Sequence, residues 1–143
     1  MHWLAPITEP LWLALDRRLP LGKRGESAAA RYLRRLGYVI VARGDRALIG
    51  EIDLVAVDGR TLVFVEVKTR TSQDAGHPAD AVDVAKQRRL TRLALAYMKR
   101  HDLLDNPARF DVVAVTWPDK GARPVIEHFP SAFEAVGFEG MYS

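Results

Sequence analysis

Three residues near the middle of the chain have side chains suited to acid–base and metal chemistry, and they sit where a strand would carry apolar ones. Asp53 interrupts Ile52-Asp53-Leu54-Val55, and Glu66 and Lys68 interrupt Phe64-Val65-Glu66-Val67-Lys68. Strand side chains alternate with period two, so Glu66 and Lys68 share a face about 6–7 Å apart. The dipeptide Asp58-Gly59 between the two segments is a strong hairpin signal. With those two residues as the loop, Val57 faces Arg60, Asp53 faces Phe64 and Glu51 faces Glu66. Asp53 is then a diagonal neighbour of Glu66 on the same face. A slip of one residue would send Asp53 to the other face, so the turn decides the geometry.

Two carboxylates converging on one patch repel unless a cation joins them. A hard ion, Mg²⁺ or Mn²⁺, suits oxygen ligands and keeps waters for a substrate phosphate. A neighbouring lysine can orient or activate the attacking water, or stabilise charge developing on the phosphate. That set is the equipment for metal-assisted hydrolysis of a phosphodiester. Taken singly, a Glu or Lys in a strand is a common edge device. Here the opposite face of the same strand, Val63, Val65 and Val67, reads as continuous core, and the site face also carries Val55, Leu62 and Phe64. A fourth acid, Glu26, lies three residues before Ala29 and seven before Leu33, on the apolar stripe of a predicted helix. A carboxylate there needs a partner, although first-turn placement near the helix dipole also accounts for it.

The elements that must position these groups follow from periodicity and punctuation. Lys23–Leu36 reads as a helix with an Ala29, Leu33, Leu36 stripe and Gly37 as its stop. Strands are expected at Tyr38–Ala42, Ile49–Val57 and Leu62–Thr69, then a polar loop over 70–78. A long helix over Asp80–His101 faces inward with Val82, Leu90, Leu93 and Tyr97. Strands at Phe110–Trp117 and Val125–Phe129 follow, with a short helix over 131–136. The order helix, three strands, helix, two strands implies an α/β sheet covered by helices. Residues 1–22 read as an appended segment, helical over 8–19, with Trp3 and Trp12 available for packing or a partner. Residues 23–143 form the single main domain.

Composition narrows the classes. The chain has 143 residues, 48% hydrophobic and 27% charged, with no cysteine. Thiolate metal sites, iron–sulfur clusters, disulfides and thiol catalysis are excluded. No segment reads as a membrane span or a secretory signal, which leaves the cytoplasm as the expected location. The net charge of +3 conceals a partition: residues 17–46 hold nine Lys/Arg against Glu26 and Asp45, and residues 86–100 hold six and no acid. Lys86, Gln87, Arg88, Arg89 and Arg92 would line one side of the second helix, able to meet phosphates without reading sequence, or simply to face solvent. The histidines, His2, His77, His101 and His128, show no metal-ligand spacing.

These residues resemble a known family. Gly25-Glu26, Gly50-Glu51-Ile52-Asp53-Leu54-Val55, Phe64-Val65-Glu66-Val67-Lys68-Thr69-Arg70, Lys86 with Arg89, and Arg109-Phe110-Asp111-Val112-Val113 resemble the YraN-like family of small bacterial proteins. That family is similar to the PD-(D/E)XK, restriction-endonuclease-like nucleases and, distantly, to archaeal Holliday-junction resolvases. The likeness spans residues 23 to 117. It implies a restriction-endonuclease-like core, a central mixed sheet of five strands in the order α-β-β-β-α-β-β. It implies Asp53 and Glu66 as metal ligands, Lys68 as the catalytic lysine and Glu26 as the helix-borne acid completing the site. Lys86 or Gln87 would supply a supporting polar group, and Arg70 joins the nucleic-acid contacts. The implied cofactor is Mg²⁺ or Mn²⁺, the implied partner nucleic acid, DNA ahead of RNA, with a homodimer by analogy and no membrane. Two departures stand out: Ile-Asp replaces Pro-Asp before the first acid, and Arg43-Gly44-Asp45-Arg46 lacks the expected Asn. Two other readings remain beside the nuclease: a nucleic-acid-binding protein that keeps the fold without turnover, and an assembly protein acting through its N-terminal helix.

Overall fold

The structure is a computed structural model and describes residues 19–71, 82–118 and 123–137. The helix expected over residues 8–19 lies outside them apart from Leu19, as do the Trp residues at 3 and 12, His77 and most of the 70–78 loop. The described elements are α1 (Leu21–Arg35), β1 (Val39–Ala47), β2 (Gly50–Asp58), β3 (Thr61–Arg70), α2 (Val84–Arg100), β4 (Ala108–Thr116) and β5 (Val125–Phe133). The expected order is borne out. The five strands form one sheet in the order β1-β2-β3-β4-β5, parallel between β3 and β4 and antiparallel elsewhere. Helix α2 makes the crossover that a parallel β3–β4 pair requires.

The central strand β3 is buried from Leu62 to Glu66, as its continuous apolar run demands of a strand covered on both faces. On one face α2 delivers Leu90, Leu93, Ala94, Tyr97 and Met98 onto Val55, Leu62, Phe64, Phe110 and Val112. On the other, α1 delivers Ala28, Ala29, Ala30 and Leu33 onto Leu54, Ala56, Val63, Val65, Val113 and Val115. The division of β3 between site face and core face is therefore as expected. The small residues of α1 let it lie close to the sheet. At Gly25 a side-chain Cβ would overlap the Thr69 hydroxyl on β3.

Five expectations need correction. Leu36 is half exposed at the end of α1, because Gly37 (φ +96°) turns the chain there. The Gly37 N–H donates to the Arg34 carbonyl at 2.9 Å while the Tyr38 N–H reaches the Leu33 carbonyl at 3.0 Å, a Schellman ending. β1 runs on to Ala47 through Arg43-Gly44-Asp45-Arg46, polar residues that an edge strand with solvent on one side accommodates. α2 begins at Val84, where the Asp83 carboxylate caps the Lys86 N–H at 2.8 Å. The β2–β3 loop is Gly59-Arg60, not Asp58-Gly59: Asp58 pairs with Thr61 and Val57 with Leu62. Gly59 takes the first loop position at φ +63°, where a type II′ turn requires glycine. Every partner moves by two residues, so the faces are preserved. Lastly, residues 131–133 continue β5 and 134–136 are irregular rather than helical. Ser131 takes φ +49° at an irregularity in the β4–β5 register, where the Asp111 carboxylate accepts its N–H at 3.0 Å, and Phe133 resumes the pairing and stacks on Phe110 at 4.8 Å.

Candidate active site

The site forms where four element ends meet: the start of α1, the start of β2, the end of β3 and the first turn of α2. Backbone pairing of β2 with β3 runs from Asp58↔Thr61 to Leu54↔Val65. Beyond it the Asp53 carboxylate accepts the Val67 N–H at 2.8 Å, substituting for a strand carbonyl. This contact fixes Asp53 next to Glu66, as the corrected register requires. The expected meeting of Asp53, Glu66 and Lys68 is what the geometry has.

Two acid groups share Asp53. On one side Glu26, Glu51 and Asp53 each bring an oxygen within 4.8 Å of the others. On the other, Asp53 hydrogen-bonds the Glu66 carboxylate. The close approach of α1 at Gly25 is what carries Glu26 into this group, and Arg43 of β1 ties the same turn down by donating to the Ser27 hydroxyl at 2.9 Å. Glu51 belongs to the cluster although sequence reasoning assigned it no ligand role; its place on the face of Glu66 was the available signal. Gly44 (φ +61°) lies against it, and a Cβ there would come within 3.2 Å of Glu51 Oε1.

Cations ring the acids. Lys23 lies 3.4 Å from Glu26 and 3.9 Å from Glu51, and Arg46 donates to Glu51 at 2.9 Å. Lys86 forms an ion pair with Glu66, and Lys68 stands 3.6 Å from the same oxygen. The titration behaviour follows from this layout. Burial, then the hydrogen bond and charge of Glu66, push the Asp53 carboxyl up to about 8. Burial would also raise Glu66, but hydrogen bonds from Asp53 and Lys86 and the charges of Lys86 and Lys68 outweigh it and hold it low. The proton thus rests on Asp53 and is donated to ionised Glu66. Burial and the adjacent Lys86 lower Lys68 against the pull of Glu66. Burial opposes the charge of Lys86 too, but Glu66 prevails and raises it.

The basic residues expected on α2 divide. Arg88, Arg89 and Arg92 are exposed. Lys86 turns inward to Glu66, and Gln87 donates to the Val82 carbonyl at 2.9 Å. Arg89 also packs over Gly50, where a Cβ would meet its Cδ at 3.4 Å. Arg70 is half-buried at the end of β3, and its carbonyl accepts the Trp117 N–H at 2.9 Å.

A second polar cluster, which sequence reasoning gave no role, closes the opposite end of the sheet. Asp111 is fully buried in β4, between Arg109 Nε at 3.0 Å and His128 Nε2 at 2.8 Å. Arg109 also reaches Asp58 at 3.2 Å and donates to the Tyr38 hydroxyl at 2.7 Å. An acid inside the apolar run Phe110–Val115 was its visible signal.

Among the described residues no helix is long and apolar enough to cross a membrane. The model of uncharacterised protein family UPF0102 matches residues 25–115, the span that holds Glu26, Glu51, Asp53, Glu66, Lys68 and Lys86. A UPF0102 protein of Rhodopirellula baltica is 51% identical over 132 residues, covering 90% of this chain and 79% of its own. UPF0102 proteins of Geobacter metallireducens and Geobacter sulfurreducens are 51% and 53% identical over 114 residues, covering 80% of this chain and 92% and 88% of theirs. The chain belongs to the UPF0102, YraN-like family.

Proposed function

We propose that this protein is a metal-dependent nuclease that hydrolyses phosphodiester bonds, in DNA ahead of RNA. The observation that carries the reading is the convergence of Glu26, Glu51 and Asp53 oxygens beside the Glu66–Lys68 pair. All-oxygen, carboxylate-rich donors fit a hard divalent ion such as Mg²⁺ or Mn²⁺ and no thiophilic one. Asp53 with Glu66, and Glu26 with Glu51, are the residues to hold it. Bound there, such an ion supplies Lewis-acid polarisation of a phosphate and lowers the pKa of a water.

The chain's own groups do the rest. Asp53 must give up its proton before it can ligate, because a ligand carboxylate is ionised. Lys68, lowered by burial and Lys86, sits on the Glu66 side of the cluster, 3.6 Å from the Glu66 carboxylate. It orients or deprotonates the attacking water, or neutralises charge that develops on the phosphate. Arg88, Arg89 and Arg92 give phosphates a sequence-blind contact. One observation favours binding without turnover as a second reading: Lys23, Arg46, Lys68 and Lys86 already compensate all the acids but Asp53. Incubation of labelled linear and branched DNA with Mg²⁺ or Mn²⁺ separates the two. Cleavage lost on chelation supports the nuclease; retention on a gel without cleavage supports the second reading.

A further inference from the structure

Among the described residues, no packing partner accounts for the composition at the tip of the β1–β2 hairpin. Arg46 pairs with Glu51 and Ala47 with Gly50, so Leu48 and Ile49 are the two loop residues. Two-residue hairpin loops favour Asn, Asp and Gly. Here the loop is Leu-Ile, with Leu48 fully exposed at 107% and Ile49 at 46%. The tip is held firmly, because both strands pair up to its base. It also adjoins the site: Glu51 is two residues from Ile49, about 7 Å along a strand. That distance is about two base steps of a stacked nucleic acid. Charge complementarity names the occupant. Arg89 lies over Gly50 beside exposed Arg88 and Arg92, and Arg46, one residue beyond the base of the tip, is largely exposed although paired with Glu51 at 2.9 Å. An apolar point flanked by arginines next to a phosphate-cleaving site matches the wedges that proteins insert between bases, where an apolar side chain unstacks a step and cations hold the flanking phosphates.

We infer that Leu48 and Ile49 form a wedge that opens a base step beside the scissile phosphate, so that the substrate is a nucleic acid with a deformable step there. This rests on the nuclease reading and adds a substrate class to it. The wedge is exposed, so polar replacements leave folding intact.

The test uses the full chain and a Leu48→Ser/Ile49→Ser variant on two flapped DNAs carrying 2-aminopurine at the branch. One has a fully paired stem, and the other has two mismatched pairs at the branch. The wild type should raise 2-aminopurine fluorescence on the paired stem. The variant should bind with the same salt slope, give no rise, and cleave the paired stem about tenfold more slowly, with its rate restored on the mismatched stem. Equal behaviour of both proteins on both substrates overturns the wedge while leaving the nuclease intact. Equal loss on both substrates assigns the tip to general contact and also overturns it, as does a variant altered only in self-association. A wild type that neither binds nor cleaves either DNA removes the nuclease reading, and the wedge with it.

Discussion

The Asp53 carboxylate accepts the backbone N–H of Val67 at 2.8 Å, standing where a carbonyl of β2 would otherwise complete the ladder. One side chain thus ends the β2–β3 pairing and points an acid at Glu66. Asp53→Asn should keep the acceptor and therefore the fold. Asp53→Ala leaves the amide of Val67 unpaired and should cost about 1–3 kcal/mol. Urea melts of the two variants measure the difference; equal stabilities would show that Val67 finds another partner.

Asp53 also sets a pH dependence. Its carboxyl is pushed up to about 8 from an ordinary value of 3.8, by burial first and by Glu66 second. The metal-free fold therefore binds this proton more tightly than the unfolded chain does. The stability it contributes is full below pH 3.8 and is lost as pH rises towards about 8. Mn²⁺ binding must expel the proton, so affinity should rise with pH up to about 8 and level off above it. Calorimetry in buffers of different ionisation enthalpy should record proton release at neutral pH. A flat pH response would contradict ligation by Asp53.

Gly25 governs the approach of α1. Gly25→Ala gains about 0.5–1 kcal/mol of helix propensity. The new Cβ overlaps Thr69, and overpacking of that kind costs about 1–3 kcal/mol, so destabilisation wins. The helix relieves the overlap by backing away with Glu26, and Mn²⁺ affinity should fall further than stability does. Adding Thr69→Ala should restore part of both losses, a coupling that a double-mutant cycle reads directly.

The Asp111 cluster should behave as structural. Burial would raise Asp111, but His128, Arg109 and the Ser131 amide outweigh it and keep its carboxyl below the ordinary range. A depressed carboxyl gives stability that is present above pH 3.8 and lost as pH falls through its folded value. Asp111→Ala leaves Arg109 under-compensated and should cost about 3–5 kcal/mol. It should shallow the acid limb of the stability profile while leaving metal affinity unchanged in the folded fraction.

Much of this was legible because strands β2 and β3 alternate so clearly that an acid on the site face stands out. The register was misplaced by two residues since Asp58-Gly59 and Gly59-Arg60 are both plausible turns with Gly59 at positive φ; they differ in Asp58, which stays in the strand paired with Thr61. That error kept Asp53 and Glu66 on one face, so the site survived it. β5 was cut short because Pro130 and Ser131 look like a strand end. What carries β5 past them is Asp111, which holds Ser131 at φ +49° and is distant in sequence and invisible to local pattern. Lys86 read as an outward cation for the same reason: its partner, Glu66, lies on another element.

The most direct test is Mg²⁺-dependent cleavage of labelled DNA by the wild type beside Glu66→Ala and Lys68→Ala, with melts and gel binding run in parallel. The account predicts that both variants stay folded, keep most of their DNA affinity and lose cleavage. Cleavage by Lys68→Ala at the wild-type rate would contradict it.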